Sequence, residues 1–336
     1  MAAGGAAGAT VAEAGELVLI EALRPYLAPE GAGLELGAGD DAALWRPPAG
    51  ANVVVTTDSL VEGVHFRAGA EEAAMADVGW KLLAVSLSDL AAMAATPGPA
   101  FLALSLPPSW PVSSVVYLYG GLADCAAAHG AQLAGGNFSA APAAVLTSTC
   151  LGYVDPALAL RRAGGEPGWA LAVTGTLGGA AAALALERDG APVEPAGAAA
   201  WRARLSRPEP RLEAARAAAA AGVRVGLDIS DGLYRDAARL LGGAATGCVI
   251  DAGAIPLEAG VSEAWPERWT ALAGGGEDYE LLLAAPPAVM AGAAAAADAG
   301  GVPLRVIGEL DSGDGVRLAV DGTERPAPPA GYEHFR

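Results

Sequence analysis

The sequence predicts an α/β (α+β) protein of two domains, and three observations support this. The chain has 336 residues, a length that suggests about two domains. It is 53% hydrophobic, which is ample for a core, although many of these residues are alanines that bury little area each. Short β-branched runs alternate with longer segments of helical periodicity in both halves. The predicted boundary is the turn at Asp155-Pro156, which separates residues 1–154 from residues 155–336.

The N-terminal half begins with a tail rich in Ala and Gly, and residues 1–14 are predicted to be disordered. The elements predicted after it are a helix over 15–27, a buried strand over 52–58, a helix over 75–95, a strand over 100–107, a helix over 112–130 and a strand over 143–154. Between the last helix and strand lies LAGGNFSAAP, residues 133–142. Its Gly135-Gly136 pair allows a close backbone approach, so a glycine loop with Asn137 at its tip is predicted.

The C-terminal half shows the same mixture of patterns. Its predicted elements are a strand over 169–176, an Ala-rich helix, a Pro/Arg-rich connection, a helix over 211–222, a strand over 223–229, a helix over 233–241 and a turn with a strand over 274–286. Strands and helices therefore alternate to the end of the chain, which favours a second α/β domain.

The charge balance excludes two classes of partner. With 38 acidic and 20 basic residues, the chain lacks the basic surface that nucleic acid or an anionic membrane requires. A protein of this charge needs metal ions to handle anionic substrates. The three cysteines are scattered and form no CxxC pair, which is typical of buried thiols in a reducing compartment. With no signal peptide and no apolar membrane span, the prediction is a soluble cytoplasmic protein.

Carboxylates collect at the predicted strand ends and turns. They fall at five sites: Gly39-Asp40-Asp41, Thr56-Thr57-Asp58, Asp89, Asp228-Ile229-Ser230-Asp231-Gly232 and Gly276-Glu277-Asp278-Tyr279-Glu280. Each site has a plainer interpretation: a helix cap at Ser230 or Asp231, an ordinary turn at Asp41, a solvated helix face at Asp89. The mixed neighbours of Asp89 nevertheless predict partial burial. Carboxylate and hydroxyl oxygens are the ligands of Mg²⁺, so the five sites together indicate magnesium.

Two segments carry basic side chains that could serve a site, but neither assignment is specific. The turn LRRAGGEPG carries Arg161 and Arg162, which fit either a phosphate clamp or an ordinary surface turn. His65 lies just beyond the predicted metal-binding strand, although a lone histidine is more often structural. The chain contains no Walker loop, no strand–GxGxxG–helix unit, and neither HExxH nor GxSxG.

Taken in order, the motifs resemble those of the thiamine-monophosphate kinases, in the superfamily of aminoimidazole ribonucleotide synthetase and selenophosphate synthetase. The matching segments are GDDAAL, TTDSLVEGVHF, KLLAVSLSDLAAMAATP, VTGTLGGA, SRPEPRL, DISDGL, GGGEDYELL and the terminal GYEHF. SLSDLAAM, DISDGL and GGGEDYELL are the specific ones. The resemblance extends from residue 15 to residue 335, nearly the whole chain.

The resemblance implies a homodimer whose paired N-terminal sheets form a barrel, with residues 1–154 binding metal and ATP and forming the dimer. It implies direct in-line transfer of the γ-phosphoryl group of ATP to thiamine monophosphate, assisted by several Mg²⁺ ions. The metal ligands that it implies are Asp41, Thr56, Thr57, Asp58, Asp89, Asn137, Asp228 and Asp231. The implied ATP contacts are Gly136, Asn137, Arg162 (or the adjacent Arg161) and Ser230, and the implied substrate contacts are His65, Glu277 and Tyr332.

The glycine segment departs from the family pattern. The family commonly has Gly-Gly-Asp-Thr there, whereas this chain has Gly-Gly-Asn-Phe at 135–138. An amide offers Mg²⁺ an oxygen without the charge, so we expect retained activity with a weaker metal site. The alternatives are another ATP-dependent enzyme of the superfamily with a different acceptor, or a non-catalytic nucleotide-binding homologue. GGGEDYELL and GYEHF favour the thiamine kinase, because the resemblance places them at the substrate rather than at the ATP that the whole superfamily shares.

Overall fold

The computed structural model describes residues 8–68, 72–189, 197–242, 246–328 and 331. The chain divides into two compact units. The first unit runs to Asp155 without residues 91–95, and the second comprises 91–95 and the chain from Pro156 onward. Each unit has its own sheet, so the mixed α/β prediction is confirmed.

Helices and strands of the first unit follow the predicted order. Its helices are α1 (Val11–Ala14), α2 (Glu16–Leu23), α3 (Glu72–Ala92, whose last two residues are assigned to the second unit) and α4 (Val112–His129). Its strands are β1 (Leu34–Leu36), β2 (Leu44–Trp45), β3 (Asn52–Val61), β4 (Thr96–Leu106), β5 (Gln132–Ala140) and β6 (Val145–Val154). In this described part β1 pairs with β2, and the larger sheet has the order β3-β6-β4-β5. β4 and β5 are parallel, whereas β6 is antiparallel to β3 and to β4.

The larger sheet has one covered and one open face. Leu102 and Leu104 on alternate positions of β4 are buried, and Ser86 of α3 bonds to side chains of the same face. α3 and α4 approach closely because Gly79 and Gly121 face the backbone of the opposite helix, where a Cβ would overlap a carbonyl oxygen. The open face exposes side chains from every strand of this sheet.

The strand predicted over 52–58 is present but longer, and it is not buried. Val53 is 48% exposed and Val55 61% exposed, because β3 is an edge strand whose alternate side chains lie on the open face. Its run of β-branched residues predicted a strand correctly, but it did not reveal that one face of the strand is exposed. Residues 11–14, predicted to belong to a disordered tail, form a short helix because Thr10 and Glu13 build a capping box.

The segment predicted to be a glycine loop is the edge strand β5. It pairs with β4 in parallel, and a register shift falls where Gly135 adopts φ +154°. A Cβ at Gly136 would overlap the carbonyl oxygen of Leu102, so the glycine permits this close pairing. The glycines therefore serve strand pairing, and Asn137 lies within a strand.

The second unit is built on a larger mixed sheet. Its helices are α5 (Gly179–Asp189), α6 (Ala198–Ser206), α7 (Leu212–Ala220), α8 (Leu233–Leu240), α9 (Val261–Ala264), α10 (Trp269–Ala273) and α11 (Pro287–Ala299). Its strands are β7 (Ala170–Thr174), β8 (Val225–Ile229), β9 (Gly247–Asp251), β10 (Glu280–Ala285), β11 (Leu304–Asp311), β12 (Val316–Val320) and β13 (Thr323–Pro326). Within the described residues the order is β13-β12-β9-β11-β7-β10-β8, antiparallel except between β9 and β12.

The central strands of this sheet are buried at every position, as expected when both faces are covered. The core contains Leu227 and Leu282 together with Leu233 and Leu240 of α8, whereas α11 contacts β7, β10 and β11. Helix α6 lies within the predicted Pro/Arg-rich connection. No helix in the described ranges is long and apolar enough to cross a bilayer.

Candidate functional site

Two carboxylates of the first unit lie together on the covered face of its sheet. Asp58 projects from β3, and Asp89 projects from α3, which packs on that face. The Thr56 hydroxyl donates to Asp89 Oδ2, and the Ser86 hydroxyl donates to Asp58 Oδ2 at 3.1 Å. Both carboxylates are partly buried, which confirms the sequence prediction for Asp89. Strand β3 and helix α3 thus bring two of the predicted acidic sites into one place.

The electrostatics of this pair favour a cation. Burial and the nearby charge of Asp89 raise the pKa of Asp58 to about 6, and the Ser86 hydrogen bond opposes the shift only in part. Two adjacent carboxylates and the Thr56 hydroxyl form a set of hard oxygen donors. A divalent cation would remove the repulsion between the carboxylates, so the residues fit Mg²⁺.

A row of buried side chains supports the pair, and sequence reasoning missed it. The Ser86 and Ser148 hydroxyls are 2.6 Å apart, and Ser148 donates to the carbonyl of Leu82 at 2.8 Å. Cys150 is opposite Thr56 in the sheet, and burial raises its pKa to about 12. Ser148 and Cys150, at alternate positions of β6, therefore lie on the same face of the sheet as Asp58. The sequence VLTSTC shows their alternating spacing, but it does not show that β6 pairs with β3.

Other predicted ligands of the first unit lie elsewhere. The Thr57 hydroxyl bonds to the Ser148 carbonyl at 3.2 Å and to the Thr149 hydroxyl at 3.0 Å. Thr57 and Asn137 project from the open face, opposite to Asp58, because side chains alternate along a strand. Asn137 is also three strands from β3, a separation of about 14 Å. Within one chain, Asn137 and Asp58 therefore do not share a metal ion.

Asp41 and His65 occupy turns. Asp41 lies in the exposed turn before β2, and its N–H donates to Asp40 Oδ1 at 2.8 Å. His65 follows β3, and its Nδ1 accepts a hydrogen bond from the N–H of Val61 at 3.0 Å. This bond fixes the imidazole at the end of the strand that carries Asp58, with Nδ1 as the acceptor.

In the second unit, the predicted DISDGL turn follows the end of β8. Asp228 is buried within the strand, and Ser230 and Asp231 follow it. Neither caps α8: Asp236 reaches back, and its Oδ2 accepts from the N–H groups of Asp231 and Gly232 at 3.0 Å. Asp231 instead forms ion pairs with Arg239 and, at 3.8 Å, with Arg235. The carboxylate predicted to bind metal is thus held by two guanidinium groups.

The turn before β10 lies beside the DISDGL turn. The N–H of Glu277 donates to the Ser230 carbonyl at 2.8 Å, and the N–H of Tyr279 donates to the Ile229 carbonyl at 2.9 Å. Glu277 has φ +71° and Tyr279 has φ +51°, conformations that cost energy for residues other than glycine. Strained backbone of this kind is typical of functional sites.

The C-terminal motif is described only at Gly331. A Cβ there would lie 2.5 Å from the carbonyl oxygen of Asp231, so this glycine packs on the DISDGL turn. Tyr332, predicted to contact substrate, lies outside the described residues. Arg162 is exposed, and its neighbour Arg161 pairs through its backbone with the start of β8. Arg162 lies level with Gly226 at the start of β8, whereas Ser230 follows the end of that strand. The backbones of Arg162 and Ser230 are therefore about four residues, or about 13 Å, apart along the strand.

Beneath the Glu277 turn lies a network of buried and half-buried charges. Its members are Glu258, Asp278 and Glu280 with Arg204 and Arg211. Burial raises the pKa of Asp278 well above its usual range, although N–H groups of Gly178 and Ala180 oppose this. Sequence reasoning placed Asp278 and Glu280 in one of the five acidic sites, but it assigned no role to Arg204 or Arg211 and did not predict that they would contact these carboxylates.

Across the described part of the chain, no three His, Cys, Asp or Glu side chains form a group that could hold a metal ion. The Asp58–Asp89 pair provides two carboxylates, so phosphate oxygens and water would have to complete an octahedron. This arrangement suits a metal ion that arrives with a phosphorylated substrate.

Models of two family domains match the chain. The AIR synthase related protein N-terminal domain matches residues 39–154, and the AIR synthase related protein C-terminal domain matches residues 166–321. The thiamine-monophosphate kinase of Synechococcus elongatus is 36% identical over 334 residues, which cover 97% of this chain and 98% of that protein.

Two solved structures show the same likeness. The crystal structure of thiamine-monophosphate kinase from Stenotrophomonas maltophilia K279a has a TM-score of 0.81 at 35% identity, covering 92% of this chain and 96% of that chain. The structure of AaThiL complexed with AMPPCP and TMP has a TM-score of 0.73 at 26% identity, covering 96% and 98%.

Proposed function

The chain belongs to the thiamine-monophosphate kinase family of AIR synthase related proteins, and from that premise we propose how its residues serve the reaction. The activity is ATP-dependent phosphorylation of thiamine monophosphate to thiamine diphosphate. The observation that carries this conclusion is the near full-length likeness to kinases of that name and to a structure holding AMPPCP and TMP. This likeness does not favour a different acceptor or a non-catalytic homologue.

The chemistry explains why acidic residues dominate the candidate site. Acceptor and donor are both phosphates, so no strong base is needed, and the barrier lies in aligning anions and stabilising the transferred group. We propose that Asp58, Asp89 and Thr56 hold Mg²⁺, which supplies the positive charge that the phosphates require. The further ligands that we propose for the Mg²⁺ ions are Asp41, Thr57, Asn137, Asp228 and Asp231, the last of which would have to leave its ion pair with Arg239.

The nucleotide and substrate contacts are proposals as well. Gly136, Asn137, Arg162 and Ser230 are proposed on the ATP side, where exposed Arg162 offers a phosphate a bidentate fork. His65, Glu277 and Tyr332 are proposed on the substrate side. A carboxylate at Glu277 suits the positive thiazolium ring, and an aromatic ring at position 332 could stack on it.

We further propose a homodimer whose sheets close into a barrel, and a cytoplasmic enzyme that draws on cytoplasmic ATP. The open face of the first unit, with exposed Val53 and Val55, supports the dimer because a contiguous uncovered sheet face favours a partner. In a barrel this face would be interior. Asn137 of one subunit would then approach strands of the other rather than Asp58 of its own.

Purified protein incubated with ATP, MgCl₂ and thiamine monophosphate tests the proposal. We expect equal amounts of ADP and thiamine diphosphate, and loss of the product in excess EDTA. ADP formation only with a different acceptor would identify another enzyme of the superfamily. ATP binding without turnover of any acceptor would identify a non-catalytic homologue.

A further inference from the structure

Three residues from three different sequence motifs, none of them given a role in the proposed reaction, meet at one buried side chain. Glu280 of GGGEDYELL has a fully buried side chain. Arg211 of SRPEPRL grips it with both arms, Nε to Oε2 at 2.7 Å and Nη2 to Oε1 at 2.6 Å. The hydroxyl of Thr174, in VTGT, donates to Oε2 at 2.7 Å and accepts from the N–H of Leu281 at 2.8 Å. This paired fork is the most directional ion pair available to proteins.

A second set of contacts fixes the residue two positions earlier. Both oxygens of Asp278 lie 3.1 Å from the N–H of Gly178, at the start of α5. Arg204 spans from Glu280 Oε1, at 3.3 Å, to Glu258 Oε2, at 3.1 Å. Asp278 and Glu280 are thus both anchored, and they flank Tyr279.

The anchored residues alternate with the strained ones. Glu277 and Tyr279 have positive φ, and Asp278 and Glu280 are the side chains bound beneath them. A chain of non-glycine residues keeps such a conformation only where its surroundings enforce it. The surroundings here are the backbone hydrogen bonds of Glu277 and Tyr279 to the DISDGL turn and the side-chain contacts of Asp278 and Glu280.

We propose that Arg211, Glu280 and Asp278 are positioning residues that hold the strained turn and so set Glu277 for the thiazolium part of the substrate. The inference rests on the proposed role of Glu277. Arg211 does not itself contact the substrate in this proposal. It acts through Glu280, which it binds by two parallel hydrogen bonds. Stability alone is a weak reason for such a network, because a buried ion pair gains little over apolar packing.

Arg211→Lys tests the proposal, because it keeps the charge and removes the fork. Arg216→Lys is the matched control: Arg216 lies on α7, the helix that follows Arg211, and pairs with exposed Glu213. We expect Arg211→Lys to raise KM for thiamine monophosphate by about tenfold, with KM for ATP nearly unchanged and the control like wild type. In a Glu277→Gln background the same substitution should add no further increase, because its effect passes through Glu277.

Hydrogen exchange of the turn gives a readout that is independent of activity. Amides 276–280 should exchange faster in Arg211→Lys than in Arg216→Lys, while peptides of the first unit stay unchanged. If Arg211→Lys does not fold, Glu280→Gln takes its place with the same expectations, because it keeps the shape of the side chain but replaces one acceptor oxygen with an NH₂ donor and so breaks the fork.

The outcomes separate this inference from the proposed function. A wild-type protein that does not turn over thiamine monophosphate overturns the function, and the exchange rates still decide whether the network holds the turn. An active wild type with equal KM rises for both substrates, additive effects with Glu277→Gln, or unchanged exchange at 276–280 overturns the inference.

Discussion

Replacing Asp58 with asparagine should stabilise the metal-free protein while removing its activity. Asp58 and Asp89 repel each other in a partly buried site, and the pKa of Asp58 rises from 3.8 to about 6. Asparagine keeps an oxygen for the Ser86 hydroxyl and removes the charge. If the pair holds Mg²⁺ as proposed, this repulsion is a loss of stability that the bound ion would offset, as is common at functional sites.

The magnitude follows from the shift in pKa. A rise of this size corresponds to a difference of at most about 3 kcal/mol between the protonated and the charged protein. Because the pKa of Asp58 is higher in the folded protein than in the unfolded one, protonation of Asp58 stabilises the fold. This contribution is fully present below the unfolded pKa of 3.8 and is lost as pH rises through about 6. Asp58→Asn should therefore gain up to about 3 kcal/mol at pH 8 and less than about 1 kcal/mol at pH 4.

Urea unfolding in EDTA, followed by circular dichroism at pH 8 and pH 4, measures the gain. Asp124→Asn is the control, because Asp124 is an exposed aspartate on α4 of the same unit. Adding MgCl₂ at pH 8 should stabilise the wild type more than Asp58→Asn. A variant no more stable than wild type at pH 8, or an equal gain at both pH values, would refute the reasoning.

Three further changes probe other parts of the chain. Asn137→Asp should lower the Mg²⁺ concentration for half-maximal rate, and an unchanged value would remove residue 137 from the metal site. Gly121→Ala should lower the free energy of unfolding by about 2 kcal/mol or more, because its Cβ would overlap the backbone of the facing helix. Gly120→Ala, whose Cβ would meet open space, should raise it by up to about 1 kcal/mol. The two variants should therefore shift the denaturant midpoint in opposite directions. The thiols of Cys150 and Cys248, whose burial raises each pKa to about 12, should react with a disulfide reagent at pH 8 only after unfolding, and rapid labelling of the native protein would contradict this.

Local patterns were sufficient for most of the elements. The helical spacing over 112–130 and Gly130 at its end predicted α4, which ends at His129 with Gly130 at φ +73°. The glycine segment could not be predicted in this way, because paired glycines are typical of both turns and close strand contacts. Only the position of β4 beside Gly136 distinguishes the two.

The sites show the same division. Asp58 was singled out at the end of a predicted strand and Asp89 within a predicted helix of mixed neighbours, and the fold brings them together. The partners of Glu280 were out of reach, because Arg211 is 69 residues away in sequence and its contact is fixed by the sheet. The family resemblance included SRPEPRL, but the motif alone did not indicate which carboxylate its arginine binds.

The buried network of the second unit also determines how many protons the folded chain carries. Glu258, Asp278 and Glu280 outnumber Arg204 and Arg211 by one carboxylate. Burial raises the pKa of Asp278 well above its usual range, which favours a proton on this side chain. The folded chain keeps it at pH values where the unfolded chain has released it, so unfolding delivers a proton to the solution. The calorimetric heat of unfolding should consequently be lower in Tris than in phosphate, because Tris releases more heat when it takes up a proton.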